Sequence, residues 1–386
     1  MAMKEILDEL DSLSRARARE LGKAKQEGTP IIEYTGYFIP EELIRAAGAE
    51  TYLMCRGGEP EPPDAVLDYM LRFMNPLARS MAGFLELGLD PITPMSSMVV
   101  AQQTDNHVGR ISELLEFKGI NICKVGVPPD WTKDIAFEYY VESLKKMMQR
   151  VEEITGKKVD EALAKTYFEK SNKICELFRK LNELRMKDNP PIGFNEIIHL
   201  QHYSFNVDAD IMIEKLTQLY EELIDAPGEF DADAPRILVA GRAFAMGDYI
   251  VPGLVEQSGG VIVAELLDEG VRPIEKDVAL EGDLLVNFAK NRYLDKTPIN
   301  IQQPAWDIRY DKIKELIKDY KVDGVLWYQL AFDEIYDMEY TCLSNWMKDS
   351  DTLLMKLESS YEYSREAMGP LTTRIESFVE SLKEGK

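Results

Sequence analysis

Apolar side chains fall at helical spacing at the start of the chain. Ile6, Leu7, Leu10 and Leu13 share one stripe of a segment that runs roughly from Lys4 to Gln26. After the turn Glu27-Gly28-Thr29-Pro30 the pattern changes to short, nearly continuous apolar runs. IIEYTGYFI (31–39), ETYLMC (50–55), SSMVVAQQ (96–103) and NICKVGVP (121–128) read as strands. Between them lie helical stretches: PEELIRAAG, opened by proline and closed by glycine, then 64–88, then 105–118. Apolar strands alternating with helices predict a parallel sheet covered on both faces.

From Asp134 to Leu223 charged helical stretches dominate: AFEYYVESLKKMMQRVEEITG, VDEALAKTYFEKSNKICELFRKLNELR and DADIMIEKLTQLYEELI. The break KDNPPIGF separates the last two. A turn-rich linker, DAPGEFDADAP (225–235), leads into a second alternation with strands RILVAGR (236–242), VIVAELL (261–267), VDGVLWYQL (322–330) and DTLLMKLESS (351–360). The fold class expected is α/β: two Rossmann/flavodoxin-like domains with short parallel sheets, joined by a helical connector, plus an N-terminal helix. The boundaries read as 1–29 for that helix, 30–133 and 235–386 for the α/β domains, and 134–234 for the connector. The two halves share architecture, not a sequence repeat of fixed period.

A length of 386 residues agrees with more than one domain. Hydrophobic residues at 45% and charged residues at 29% give a soluble globular balance with ample core. The net charge of −23 argues against a nucleic-acid partner, because no basic stripe is available to neutralise phosphates. No apolar run approaches the ~20 residues of a membrane helix, and the charged N-terminus does not read as a signal peptide. Cys55, Cys123, Cys175 and Cys342 lie far apart with no C-x-x-C pair, which suits reduced thiols in a cytoplasmic protein. No zinc-type spacing exists.

In open parallel sheets, ligands bind beyond the carboxyl ends of the strands. That rule selects QQTDNHVGR, GRAFAMGDY, LLDEGVRP and AFDEIYDMEY; Asn75-Pro76 joins them if its segment runs toward the same edge. Each candidate has a plainer reading. Asn75 suits an N-cap and Pro76 the first helical position. Thr104-Asp105-Asn106 reads first as a cap cluster. Arg242 after Gly241 offers a guanidinium suited to phosphate, on weak evidence. Asp333 and Glu334 could serve as paired carboxylates, although acids after a strand are commonly caps. Phe194, Tyr203, Trp327 and Tyr328 could line an aryl pocket, with ordinary core the commoner role. There is no G-x-G-x-x-G and no Walker A lysine loop.

Taken together, GYFIPEELIRAAGAE, NPLARS, QTDNHVGRISEL, VDGVLWYQLAFDEIYDMEY and LTTRIESFVESL resemble the 2-hydroxyacyl-CoA dehydratase and benzoyl-CoA reductase family from Ile31 to Leu382. NICKVGVPPDW and DNPPIGFNEIIHLQHYSF look closer to the benzoyl-CoA reductase branch. Members with a [4Fe-4S] cluster hold it by one cysteine from each of three such loops. The matching positions here are Asn75, Thr104 and Asp333, so all three thiolates are missing, and no cysteine stands nearby in sequence to compensate. The resemblance therefore implies a subunit that ligates no cluster, with the [4Fe-4S] cluster in a homologous partner subunit. It also implies an ATP-hydrolysing iron–sulfur activator and an acyl-CoA substrate. Asn75, Thr104, Asp105, Asn106, Arg242 and Asp333 become the candidate substrate-binding residues. The leading expectation is ATP-driven ring reduction of benzoyl-CoA type. The alternatives are radical dehydration of a 2-hydroxyacyl-CoA, a non-catalytic acyl-CoA-binding or assembly protein, and a hard-cation enzyme using Asp105 and Asp333.

Overall fold

The computed structural model describes residues 2–302 and 305–385. The chain opens with α1 (Ala2–Gln26) and then alternates β1 (Ile31–Tyr34), α2 (Glu41–Ala46), β2 (Glu50–Leu53), α3 (Glu61–Ala65), α4 (Pro76–Glu86), β3 (Met98–Gln103), α5 (Asn106–Phe117) and β4 (Ile122–Gly126). Four helices follow: α6 (Asp134–Thr155), α7 (Glu161–Leu184), α8 (Phe194–Asn206) and α9 (Ala209–Leu223). The second alternation comprises β5 (Arg236–Ala243), α10 (Ile250–Gln257), β6 (Val261–Glu269), α11 (Leu284–Tyr293), α12 (Trp306–Asp319), β7 (Gly324–Leu330), α13 (Glu334–Trp346), β8 (Leu353–Ser359) and α14 (Arg365–Glu384).

Both sheets are four-stranded and wholly parallel, with the orders β2-β1-β3-β4 and β6-β5-β7-β8. Each order reverses direction beside its first strand, between β1 and β3 and between β5 and β7. Helices diverge to opposite faces at such a point and leave a crevice at the carboxyl ends. Every residue of β5 and β7 is buried, which explains their continuous apolar runs.

The two carboxyl edges are brought together by backbone. The Met246 N–H donates to the Cys55 carbonyl at 2.8 Å, and the Gly57 N–H to the Met246 carbonyl at 3.1 Å. A Cβ on Gly247 (φ 108°) would lie 2.5 Å from the Gly57 carbonyl oxygen, so only glycine permits this approach. One apolar core runs through both sheets and the intervening helices, with Ile32, Val100, Leu144, Phe178, Ile237 and Leu326 in it. A second core covers the outer face of the C-terminal sheet around Leu238, Val325 and Trp327.

Two sequence expectations are corrected. The stretch 64–88 is not one helix: α3 ends at Ala65, a turn region follows, and α4 starts at Pro76, which has no N–H to continue a preceding helix. The run 31–39 stays a strand only to Tyr34. The chain then turns at Gly36, packed so tightly on the Gln102 side chain that a Cβ would sit 2.3 Å from its amide nitrogen. Residues 194–206, outside the helical stretches expected from the pattern, form α8, buried around most of its circumference.

Candidate functional site

Three helices present their N-termini to the crevice between the facing sheets, and their capping residues meet there. Asn75 precedes α4 and accepts a hydrogen bond from the Ala78 N–H at 3.1 Å through Oδ1. Its amide nitrogen is free to donate, and does so to Asp333 Oδ2 at 2.7 Å. Asp105 caps α5, accepting from the Val108 N–H at 2.9 Å through Oδ1. Asp333 occupies the cap position of α13 but makes no side-chain bond to that helix. Its carboxylate is turned to the other loops instead. Unpaired N–H groups and the positive end of each helix favour anionic and acceptor groups at this point.

Arg242, near the end of β5, ties the Asp105 and Asp333 loops to Glu269 at the end of β6. Its Nη2 donates to Asp105 at 2.8 Å and to Glu269 at 3.1 Å, and its Nη1 donates to Asp333 at 3.3 Å. The guanidinium also lies 5.3 Å from the Tyr336 ring centroid. A planar fork of five donors suits three carboxylates at once, where a lysine ammonium does not. His107 completes the cluster. The Asn75 N–H donates to His107 Nδ1 at 3.5 Å, which leaves the ring proton on Nε2, 3.4 Å from Asp333 Oδ1.

Three carboxylates around one guanidinium, Asp333 buried and Asp105 and Glu269 half-buried, cannot all ionise freely. Burial raises Asp333 to about 6 against the pull of Arg242 and the Asn75 hydrogen bond. Burial, reinforced by Asp105 and Asp333, raises Glu269 to about 7. Burial also works against the Asp105 charge, but Arg242 and the Val108 N–H outweigh it and hold that carboxyl below its ordinary value. Burial lowers His107, which is therefore neutral at physiological pH. The cluster thus holds one fixed ion pair, Asp105–Arg242, and two carboxyls able to exchange protons near neutrality.

A cavity of about 660 Å³ opens over this cluster, with Asp105, Asn106, His107, Arg242, Asp333, Glu334 and Tyr336 among its walls and Met70, Met74, Leu114 and Ile301 as its apolar part. Of the residues selected from sequence, Asn75, Asp105, Arg242 and Asp333 form the hydrogen-bonded cluster, and Asn106 lines the cavity. Thr104 is not brought into it; its buried hydroxyl has no partner among the described residues. Residue-by-residue reading misses His107, Glu269 and Tyr336, although the strand-end rule selects the loops that carry them. Phe194, Tyr203, Trp327 and Tyr328 take the commoner role, ordinary core. Phe194 packs edge-on against Phe244, Tyr328 stacks on Phe244, Trp327 belongs to the outer core, and none of these or Tyr203 lines the cavity.

The chemistry here does not fit a [4Fe-4S] cluster. Asn75 and Asp333 are hydrogen-bonded to each other, and Arg242 fills the space between the loops. The space left behind them is only about 20 Å³, walled by Asn75, His107, Arg242, Glu269 and one thiol, Cys55. Cys55 is distant from the three loops in sequence, and only the fold brings it here. Burial and the nearby Glu269 push its pKa up to about 12, so it is a neutral thiol rather than a thiolate ligand. The hard-cation expectation for Asp105 and Asp333 is corrected by the same geometry, since both carboxylates are bound to the Arg242 guanidinium.

The chain is similar to known proteins along nearly its whole length. The family model described as 2-hydroxyglutaryl-CoA dehydratase, D-component, matches residues 36–382. The Escherichia coli (strain K12) protein named "Putative dehydratase subunit YjiM" is 24% identical over 93% of this chain and 93% of its own. The beta subunit of (R)-2-hydroxyglutaryl-CoA dehydratase from Acidaminococcus fermentans is 22% identical over 99% of this chain and 100% of its own. A benzoyl-CoA reductase subunit from Thauera aromatica is 19% identical over 98% of this chain and 96% of its own.

Proposed function

This chain belongs to the 2-hydroxyglutaryl-CoA dehydratase D-component family, and from that premise we propose that it is the cluster-free subunit of a complex acting on acyl-CoA thioesters. In this reading a homologous subunit with cysteines in the three loops holds the [4Fe-4S] cluster, and an ATP-hydrolysing iron–sulfur activator supplies electrons. The observation that carries the reading is the Arg242 guanidinium bonded to Asp105, Glu269 and Asp333 at the point where the resemblance places thiolates. The scaffold is retained there and its ligand chemistry is replaced by an ion-pair network.

The chain's own residues contribute a closed acidic floor to the cleft. Asp105 and Arg242 fix the geometry, Asp333 and Glu269 hold protons available near neutral pH, and the apolar wall excludes water from a bound acyl group. Radical dehydration of a 2-hydroxyacyl-CoA has the wider support: the family description and the two relatives of higher identity carry dehydratase names. Ring reduction is supported by the NICKVGVPPDW and DNPPIGFNEIIHLQHYSF stretches and by the benzoyl-CoA reductase relative. Co-purification tests the reading. A tight hetero-oligomer with a cysteine-bearing homologue supports it, and a self-sufficient homo-oligomer that binds acyl-CoA without any partner overturns it.

A further inference from the structure

A second cavity, of about 460 Å³, runs along the edge strand β6 between the end of α7, α12 and the loops 271–275 and 296–299. Six cationic side chains line it, Arg179, Arg185, Arg272, Lys296, Arg309 and Lys312, together with an equal number of carboxylates. Five are paired with carboxylates. Arg179 meets Asp277 at 2.8 Å, Arg272 meets Glu41 at 3.0 Å, Arg309 meets Asp268 and Glu339 at 2.6 Å each, Lys312 meets Glu315 at 2.8 Å, and Arg185 bonds Glu265.

Lys296 is the exception. Its Nζ donates to the Thr297 carbonyl at 3.1 Å, and no carboxylate among the described residues lies within ion-pair distance. It stands 5.1 Å from the Tyr37 ring centroid and 5.5 Å from that of Phe38. The carboxylates that act on it from farther away are engaged elsewhere. Asp268 accepts from Arg309, the Asn300 N–H and the Tyr336 hydroxyl, and Glu275 accepts from the Thr297 N–H at 2.7 Å.

The same walls carry further donors without acceptors. Arg309 Nη2 and Arg185 Nε and Nη1 are buried with no acceptor among the described residues, on residues that are 1% and 0% exposed. A buried donor without an acceptor is costly, and several on one cavity mark a place for an anion. Lysine as a point charge beside arginine forks is the donor set that receives phosphate.

We propose that this cavity binds a phosphate ester through Lys296, with Arg309 as the second donor, and that in the complex the ester is the phosphorylated end of the acyl-CoA. The second half of this statement rests on the function proposed above. The two cavities are separated by the Tyr336–Asp268 pair, Tyr336 lining the first and its hydroxyl bonding Asp268 of the second at 2.8 Å. One bound molecule can therefore influence both.

Titration calorimetry on the full chain tests this with pyrophosphate, adenosine 3′,5′-bisphosphate and CoA. Saturable binding is expected, weakened at least about tenfold by Lys296→Gln, the loss typical of one charge-assisted hydrogen bond, and largely kept by Lys296→Arg. Burial holds Lys296 near 8 against Asp268 and Glu275, with Arg309 and Arg292 acting in the same direction as burial. Affinity is therefore expected to fall between pH 7 and about pH 9, and Lys296→Gln to remove that fall. Absence of saturable binding, or Lys296→Gln binding like the wild type while its circular dichroism is unchanged, overturns the site. If the bisphosphate binds through Lys296 and CoA does not compete, the site stands and the acyl-CoA reading falls.

Discussion

Arg242 carries the site because it is the single cation shared by three carboxylates, one buried and two half-buried. Arg242→Met leaves Asp105, Glu269 and Asp333 without a counter-charge, and truncating one partner of a buried network typically costs about 3–5 kcal/mol. The loss is expected to shrink at acid pH, where those carboxyls are protonated; chemical denaturation at two pH values measures this. Glu269 gives the opposite sign. Its folded pKa, about 7, lies above its ordinary 4.5, so the folded protein holds a proton that the unfolded chain has released. That contribution is complete below the ordinary carboxyl range and is lost as pH rises through about 7. Glu269→Gln keeps the neutral shape, so the decline in melting temperature between pH 5 and pH 8 is expected to become shallower. An unchanged slope would place the titrating proton elsewhere.

The same residues act through the elements that hold them. Asn75 both caps α4 and bonds Asp333, so Asn75→Ala is expected to cost about 1–2 kcal/mol from the cap alone, and more by releasing the Asp333 carboxylate. Gly241 holds β5 at φ 134° with its Cα against β7, where a Cβ would lie 1.9 Å from the Tyr328 carbonyl oxygen. Gly241→Ala must part the two central strands just before Arg242. A melting temperature several degrees lower is expected, by more than Ala replacement of an unstrained glycine would give. Much of this level was legible in the sequence. Strands buried on both faces announce themselves as apolar runs, and Asn75-Pro76 and Asp105 are readable as helix starts. α8 was not legible, because a helix buried around most of its surface has no polar stripe to mark its period. The break between α3 and α4 was obscured by apolar residues continuing through the turn, although Pro76 marked the place.

At the scale of the molecule, what the sequence could not show is convergence. Arg242 and Asp105 are 137 residues apart, and Asn75 and Asp333 are 258 apart. They meet because two sheets of identical order face each other by their carboxyl edges, pinned by the backbone contact between Cys55–Gly57 and Met246. The strand-end rule selected the loops that meet in the crevice but gave no means of ranking Glu269 or His107 within them, since their contacts exist only once the second sheet closes over the first. The resemblance located Asn75, Thr104 and Asp333 as positions of lost thiolates. The structure joins Asn75 to Asp333 directly, ties Asp333 to Asp105 and Glu269 through Arg242, and leaves Thr104 aside. The central claim is that this joined network stands in place of a cluster, in a subunit that depends on a partner. Iron and acid-labile sulfide, measured on the chain purified alone without oxygen and again with its cysteine-bearing homologue, test that claim most directly. Neither element is expected above background in the lone chain, and both are expected in the pair; a stoichiometric [4Fe-4S] cluster in the lone chain would contradict the claim.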